Sequence, residues 1–273
     1  MNSPSADAPR KPVTVPGLRA MKEAGRKIVM LTAYDASFAA RAEEGGVDVV
    51  LVGDSLGMVV QGHASTLSVT LDQAVYHTAA ASRGLSNSLL VADLPFMTDR
   101  DRGHALDAAH RLMAEGGAAM VKLEGAGHVC GVIESLVERN VPVCAHLGLT
   151  PQSVHRLGGY RVQGREAEVA ERILADARAV AAAGAELLVL EAIPAELAAR
   201  ITAELDIPTI GIGAGSGTDG QVLVVYDMLG ITPGKRPKFA RDFLAGRGSV
   251  VEAIAAYADE VRAGRFPGPE HQY

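Results

Sequence analysis

The sequence predicts a single (β/α)8 barrel, and three observations carry that prediction. Short apolar runs rich in Val, Leu and Ile recur along the chain. Ala-rich, charge-studded segments with helical spacing lie between them. The length, 273 residues, is close to the roughly 250 usual for one such barrel. Apolar runs without polar alternation read as parallel strands covered on both faces. The rival, an open doubly wound sheet, would need a second domain to use up the chain.

Taken in order, strands are expected at 28–32, 49–52, 89–92, 119–123, 141–145, 187–190, 209–212 and 222–226. Helices are expected at 36–44, 102–115, 131–139, 166–183, 195–205 and 249–263. Gly45 and Gly46, Gly116 and Gly117, and Gly184 stand where helices close, since glycine takes the left-handed conformation cheaply. Residues 1–17 carry four prolines and charged residues but no apolar stretch, so they read as a flexible tail rather than a secretory signal. The barrel domain is then 18–273.

Composition excludes several function classes. A net charge of −6 and a pI near 5.8 leave no basic surface to neutralise a phosphate backbone, which argues against nucleic acid and for small-molecule partners. No apolar run reaches the roughly 20 residues of a membrane helix, and the cytoplasm is the expected location. Cys130 and Cys144 sit in no CxxC or zinc-type spacing and read as small core residues.

Polar residues cluster at the carboxyl ends of the expected strands: Asp35, Asp54, Asp93, Lys122 with Glu124, His146 and Glu191. In a barrel those ends form one mouth. Strand alternation puts Lys122 and Glu124 on one face, as it does Val52 and Asp54, Val91 and Asp93, and Val189 and Glu191. A lone Asp after a strand is commonly a turn or helix cap, but a set of acids at equivalent strand ends asks for more. Two bare carboxylates about 4 Å apart repel by roughly 4 kcal/mol at an effective dielectric of ~20, and three by on the order of 12 kcal/mol. Lys122 offsets one charge. The all-oxygen set Asp54, Asp93 and Glu124 favours magnesium over zinc for the rest. His146 reads as a ligand or as a group hydrogen-bonding to the ligands.

The stretch Gly215-Ser-Gly-Thr-Asp-Gly220 formally matches GxGxxG. A dinucleotide fold places that fingerprint in its first βα unit with a helix behind it. Here it follows the seventh strand and runs into apolar residues, so a tight turn or an anion-binding barrel loop is expected, and a nucleotide-dependent oxidoreductase has no other support.

The strand-end residues belong to longer stretches: Met30-Leu-Thr-Ala-Tyr-Asp35, Leu51-Val-Gly-Asp-Ser-Leu-Gly-Met58, Val91-Ala-Asp-Leu-Pro-Phe-Met97, Val121-Lys-Leu-Glu-Gly125 and Ala145-His-Leu-Gly-Leu-Thr-Pro-Gln-Ser153. With Gly158-Gly-Tyr-Arg-Val-Gln-Gly-Arg165, Leu190-Glu-Ala-Ile-Pro194 and Ile210-Gly-Ile-Gly-Ala-Gly215, the chain resembles the ketopantoate hydroxymethyltransferase family over nearly everything after the tail. The resemblance implies a magnesium-dependent barrel enzyme that moves a one-carbon unit from 5,10-methylenetetrahydrofolate to 3-methyl-2-oxobutanoate, giving 2-dehydropantoate for pantothenate and coenzyme A synthesis. By position it implies Asp54, Asp93 and Glu124 as metal ligands, Asp54, Ser55, Asp93 and Lys122 as substrate contacts, and Glu191 as catalytic base. It also implies a homo-oligomer, commonly a decamer. Ala64 and Arg161 depart from residues frequent in the family.

The residues agree with that chemistry. A 2-oxo acid can bind a metal through carboxylate and keto oxygens, which favours enolate formation at the neighbouring carbon. Glu191, on another strand, is free to act as the base. A magnesium-dependent carbon–carbon lyase would share the enolate step and lack folate dependence. A non-catalytic oxo-acid binder would have no use for Glu191.

Overall fold

The computed structural model describes residues 10–234 and 236–273. Helix α1 (Val15–Glu23) precedes β1 (Ile28–Thr32), and α2 (Ala36–Glu44) leads into β2 (Val49–Val52). The short α3 (Leu56–Val59) and then α4 (Leu71–Ser82) lead to β3 (Leu89–Asp93), α5 (Arg102–Ala114) to β4 (Met120–Glu124), and α6 (His128–Val137) to β5 (Val143–Gly148). The short α7 (Val154–Leu157) and α8 (Ala167–Ala182) precede β6 (Leu187–Glu191). After it come α9 (Ala195–Glu204), β7 (Thr209–Ile212), β8 (Gly220–Leu223), α10 (Val225–Met228) and α11 (Val250–Arg262).

The strands pair in sequence order, all parallel, and β8 closes on β1. Strand alternation sorts the apolar residues into two layers. Met30, Val49, Leu51, Val91, Met120, Cys144, Val189 and Ile210 fill the barrel interior; the opposite faces pack against the helices. Cys144 is buried in the interior, where burial pushes its thiol up to about 12, and Cys130 is half-buried and free. Tyr257 of α11 is buried and donates its hydroxyl toward Met30 O and Gln221 O, both at 3.0 Å, at the seam between β1 and β8.

The flexible tail expected over 1–17 lies outside the described residues as far as residue 9. From Arg10 onward the chain is held. Arg10 pairs with Asp48 at 2.7 Å, and Thr14 caps α1 by accepting from Gly17 N at 3.1 Å. Residues 15–17 are therefore the first turn of a helix whose Leu18 and Met21 join the interior cluster beside the strand starts. The reason is amphipathicity: these two side chains, three residues apart, share one helix face.

Two expectations near the end of the barrel need correction. The eighth strand is Gly220–Leu223, not 222–226, and Val225 already begins α10. A Cβ at Gly220 would stand 2.3 Å from Ile28 O. The strand therefore begins on a residue that an apolar-run count passes over. The strand-then-helix alternation also fails once, because residues 213–219 join β7 to β8 without a helix. Gly215 and Gly217 lie so close to Ala195 and Ala199 of α9 that a Cβ on either would meet those residues under 3 Å away. This is a turn-rich connection, as one reading of the glycine cluster had it, and no helix follows it to form a dinucleotide fingerprint. Helix α4 was also readable from Thr70 and Gln73, which form a capping box.

Candidate active site

Strands β3, β4, β5 and β6 each run one to three residues past their expected apolar ends, and the added residues include Asp93, Glu124, His146 and Glu191. Register sets who meets whom. Asp93 on β3 is level with Lys122 on β4, and Glu124 on β4 is level with His146 on β5. Each acid thus faces a base on the adjacent strand. Glu191, level with Gly148, stands at the next position along the mouth. A Cβ at Gly148, where φ is +95°, would lie 2.2 Å from Glu191 O, so only glycine lets β5 approach the end of β6 this closely. Directly after Glu191 the chain turns at Ala192 with φ of 47°. That sparsely populated conformation is held by hydrogen bonds from Ala192 N to Ile212 O and from Gln163 N to Ala192 O.

Lys122 Nζ lies 2.8 Å from Asp93 Oδ1, an ion pair between two buried side chains. Burial works against the ammonium, but Asp93, Glu124 and Asp54 outweigh it and hold Lys122 protonated well above its ordinary range. Asp93 Oδ2 accepts from the backbone N of Asp54 at 2.9 Å, which fixes the two aspartates side by side. Burial, then Asp93 and Glu124, raise the proton affinity of Asp54 well above normal, with Lys122 and Gln152 opposing.

His146 is buried, with Nδ1 3.4 Å from Glu124 Oε1 and Nε2 3.2 Å from Glu191 Oε2. Burial and Lys122 disfavour its charged form, but Glu124 and Glu191 prevail and lift it to about 9. Both ring nitrogens of the protonated ring thus face a carboxylate, although Nε2 makes no directed hydrogen bond to Glu191 at this distance. The ring's 3.3 Å approach to Lys122 Nζ becomes a like-charge contact that the surrounding carboxylates offset.

Two further residues, Gln152 and Tyr34, complete the arrangement without having been picked out from the sequence as functional, and a third, Asp227, lines the mouth outside it. Gln152 donates its backbone N to Glu124 Oε2 at 3.0 Å and its side-chain Nε2 to Asp54 Oδ2 at 2.9 Å, so one residue ties two acids from different strands. Tyr34, buried, shares a 2.9 Å hydrogen bond with Ser55, and burial raises its phenol far above the usual value. Gln152 and Tyr34 both lie inside the quoted stretches, but nothing local distinguishes them from turn and core residues. Asp35 takes the cap role open to a lone Asp: it accepts from Phe38 N at 2.9 Å and starts α2.

All seven expected site residues, Asp54, Ser55, Asp93, Lys122, Glu124, His146 and Glu191, line one cavity of about 660 Å³. Arg161 lines it too, whereas Ala64 is exposed. Among the described residues no three His, Cys, Asp or Glu side chains gather closely enough to enclose a metal ion unaided. Magnesium does not require that, since it commonly takes one or two carboxylates and completes its shell with water and substrate. Two observations fit such an ion beside Asp54 and Asp93. Buried Asp93 Oδ1 makes no directed hydrogen bond despite its ion pair. Moreover, among the described residues the four carboxylates Asp54, Asp93, Glu124 and Glu191 have only Lys122 and His146 in ion-pair contact with any of them, while Arg161 lines the cavity without pairing to one.

A closed parallel barrel with acids and bases paired at the carboxyl ends of its strands defines a β/α-barrel enzyme whose chemistry sits at that mouth. Solved structures agree on the fold: phosphonopyruvate hydrolase matches with a TM-score of 0.62 at 15% identity, over 91% of this chain and 96% of that one. Proteins named 3-methyl-2-oxobutanoate hydroxymethyltransferase from Xanthomonas oryzae pv. oryzae (strain MAFF 311018) and Xanthomonas axonopodis pv. citri (strain 306) are each 60% identical over 270 residues, covering 98% of this chain and 99% of theirs. The family model described as ketopantoate hydroxymethyltransferase matches residues 12–269. The chain belongs to the ketopantoate hydroxymethyltransferase family and is a transferase.

Proposed function

We propose that this enzyme transfers a hydroxymethyl group to carbon 3 of 3-methyl-2-oxobutanoate, with 5,10-methylenetetrahydrofolate as donor and magnesium as the required cation, giving 2-dehydropantoate for pantothenate synthesis in the cytoplasm. The observation that carries the reading is the separation of roles at the mouth. Asp54, Asp93 and Lys122 form one buried, mutually bonded group, and Glu191 stands apart from it, held by His146. The names carried by the 60% identical relatives support the same acceptor.

Asp54 and Asp93, with Glu124 tied to them through Gln152, would hold magnesium, which supplies a Lewis acid for charge developing on the oxo-acid oxygens. The chain's own groups do the rest. Lys122, kept protonated by its acids, presents a fixed positive charge to the substrate carboxylate and keto oxygen. Ser55, aligned by Tyr34, donates a hydrogen bond to a substrate oxygen. Glu191 takes the proton from carbon 3, and His146 holds the carboxylate in place. Carbon 3 then bonds to the donor's methylene carbon. One carbon–nitrogen bond to the folate breaks as that bond forms and water displaces the other, supplying the hydroxyl oxygen; the proton from carbon 3 and one from water go to the two folate nitrogens, and tetrahydrofolate leaves.

The test is a product assay with 3-methyl-2-oxobutanoate and magnesium, with and without methylenetetrahydrofolate. 2-Dehydropantoate should form only with the donor present, and chelation should abolish it. Cleavage of an oxo acid without folate would point to a carbon–carbon lyase instead.

A further inference from the structure

The acid cluster occupies the mouth from β2 to β6, and the arc formed by β7 and β8 takes no part in the chemistry above. That arc holds a carboxylate of its own. Asp227, in the short α10 directly after β8, lines the cavity. It is 6% exposed, and its Oδ1 has no hydrogen-bond partner. The Thr232 hydroxyl, also on the cavity lining, is likewise unpartnered. Burial raises the carboxyl of Asp227, with Thr232 and Arg236 acting the other way. An unpaired buried acceptor is costly and is normally satisfied by a partner. Among the described residues this oxygen makes no directed hydrogen bond, although Thr232 stands close enough to lower its proton affinity, and a bound donor would satisfy it.

The surroundings suit a flat ring. Pro233, Pro237, Phe239 and Tyr273 line the same cavity, and the rings of Phe239 and Tyr273 both reach Gly213, where a Cβ would stand 3.0 Å from each. Lys238 Nζ lies 5.0 Å from the centre of the Tyr273 ring and donates to Gln272 O at 2.6 Å, which braces that wall. A cavity of about 660 Å³ also has room beyond a small branched oxo acid.

We propose that Asp227 binds the aminopyrimidinone edge of the folate donor, its carboxylate accepting the ring N–H and the exocyclic amine while the Phe239 and Tyr273 wall covers the ring face. This rests on the folate reading given above. The chemistry is that of a carboxylate facing two parallel N–H donors, the fork geometry in which such bonds are strongest.

The test compares wild type with Asp227→Asn in two measurements. Tetrahydrofolate binding by calorimetry should weaken by about 10- to 100-fold, the cost of losing hydrogen bonds to a charged acceptor. Exchange of the carbon 3 proton in heavy water, run with magnesium and oxo acid and no donor, should keep its wild-type rate, which also shows that the variant is folded. If Asp227→Asn does not fold, Asp227→Ala carries the same comparison. Unchanged tetrahydrofolate affinity, or exchange falling as far as binding, overturns the assignment. Failure of the wild type itself to bind tetrahydrofolate overturns the donor reading, and the assignment with it, and is distinguished by being seen before any substitution.

Discussion

The His146 ring reaches the Glu191 carboxylate at 3.2 Å through Nε2 and so links the end of β6 to the acid cluster on β4. Two strands that are adjacent in the barrel but 45 residues apart in sequence thereby fix the orientation of one carboxylate. His146 acts as a positioning group for Glu191. His146→Gln should lower kcat by about 10- to 100-fold, as loss of an outer hydrogen-bonding partner commonly does, with little change in the KM for the oxo acid. Because the ring's proton is held up to about 9, it is charged at neutral pH and lost as pH rises through that value. Wild-type activity should therefore decline on the alkaline side, above the ordinary histidine range, and the decline should be absent from His146→Gln. A variant keeping the wild-type alkaline limb would remove this role.

Glu191 is the group whose loss should stop enolate formation. Glu191→Gln keeps size and hydrogen bonding but has no basic oxygen. Exchange of the carbon 3 proton and overall turnover should fall together by about 10²–10⁴. Wild-type exchange combined with lost transfer would move Glu191 to the donor half of the reaction.

Lys122 is predicted to act by charge and never as an imine-forming nucleophile. Against the penalty of burial, Asp93, Glu124 and Asp54 keep it protonated, and an ammonium has no lone pair for attack. Borohydride added to enzyme turning over the oxo acid should leave no adduct detectable by mass spectrometry. A reduced adduct on Lys122 would replace the enolate mechanism with an imine one.

Away from the mouth, Glu43 of α2 accepts from the backbone N of Asn87 and of Ser88, each at 2.7 Å, at the entry to β3. Burial opposes its charge, but the N–H groups of Ser88, Asn87 and Ser86 prevail and hold the carboxyl below its ordinary value. A lowered folded value means stability that is fully present above the unfolded glutamate value of about 4.3 and lost as pH falls through the folded one. Glu43→Gln should cost about 1 kcal/mol at pH 7, at the low end for charged acceptors because the site is partly open to solvent. In urea unfolding that difference should shrink on acidification below the glutamate range. A difference that stays constant with pH would mean the amide, not the charge, matters.

The sequence by itself determined what is local. Branched apolar runs and glycine-closed helical segments specify strand and helix within a few residues, and all seven expected site residues could be read because six follow such runs and Lys122 interrupts one near its end. The tertiary structure decided everything that depends on register and closure. Asp93 meets Lys122, and Glu124 meets His146, because β3, β4 and β5 align at those residues, and alternation within one strand carries no information about its neighbour's offset. Gln152 joins Asp54 to Glu124 across 98 and 28 residues of chain, a contact with no sequence signal because an amide's partners are set by where the loop folds. The helix missing between β7 and β8, and the strand beginning on Gly220, follow from close backbone approach at small residues, which a count of apolar side chains cannot register. In the sequence Asp227 is one polar residue following an apolar run. Only burial without a hydrogen-bond partner, in the arc of the mouth the acid cluster leaves free, set it apart.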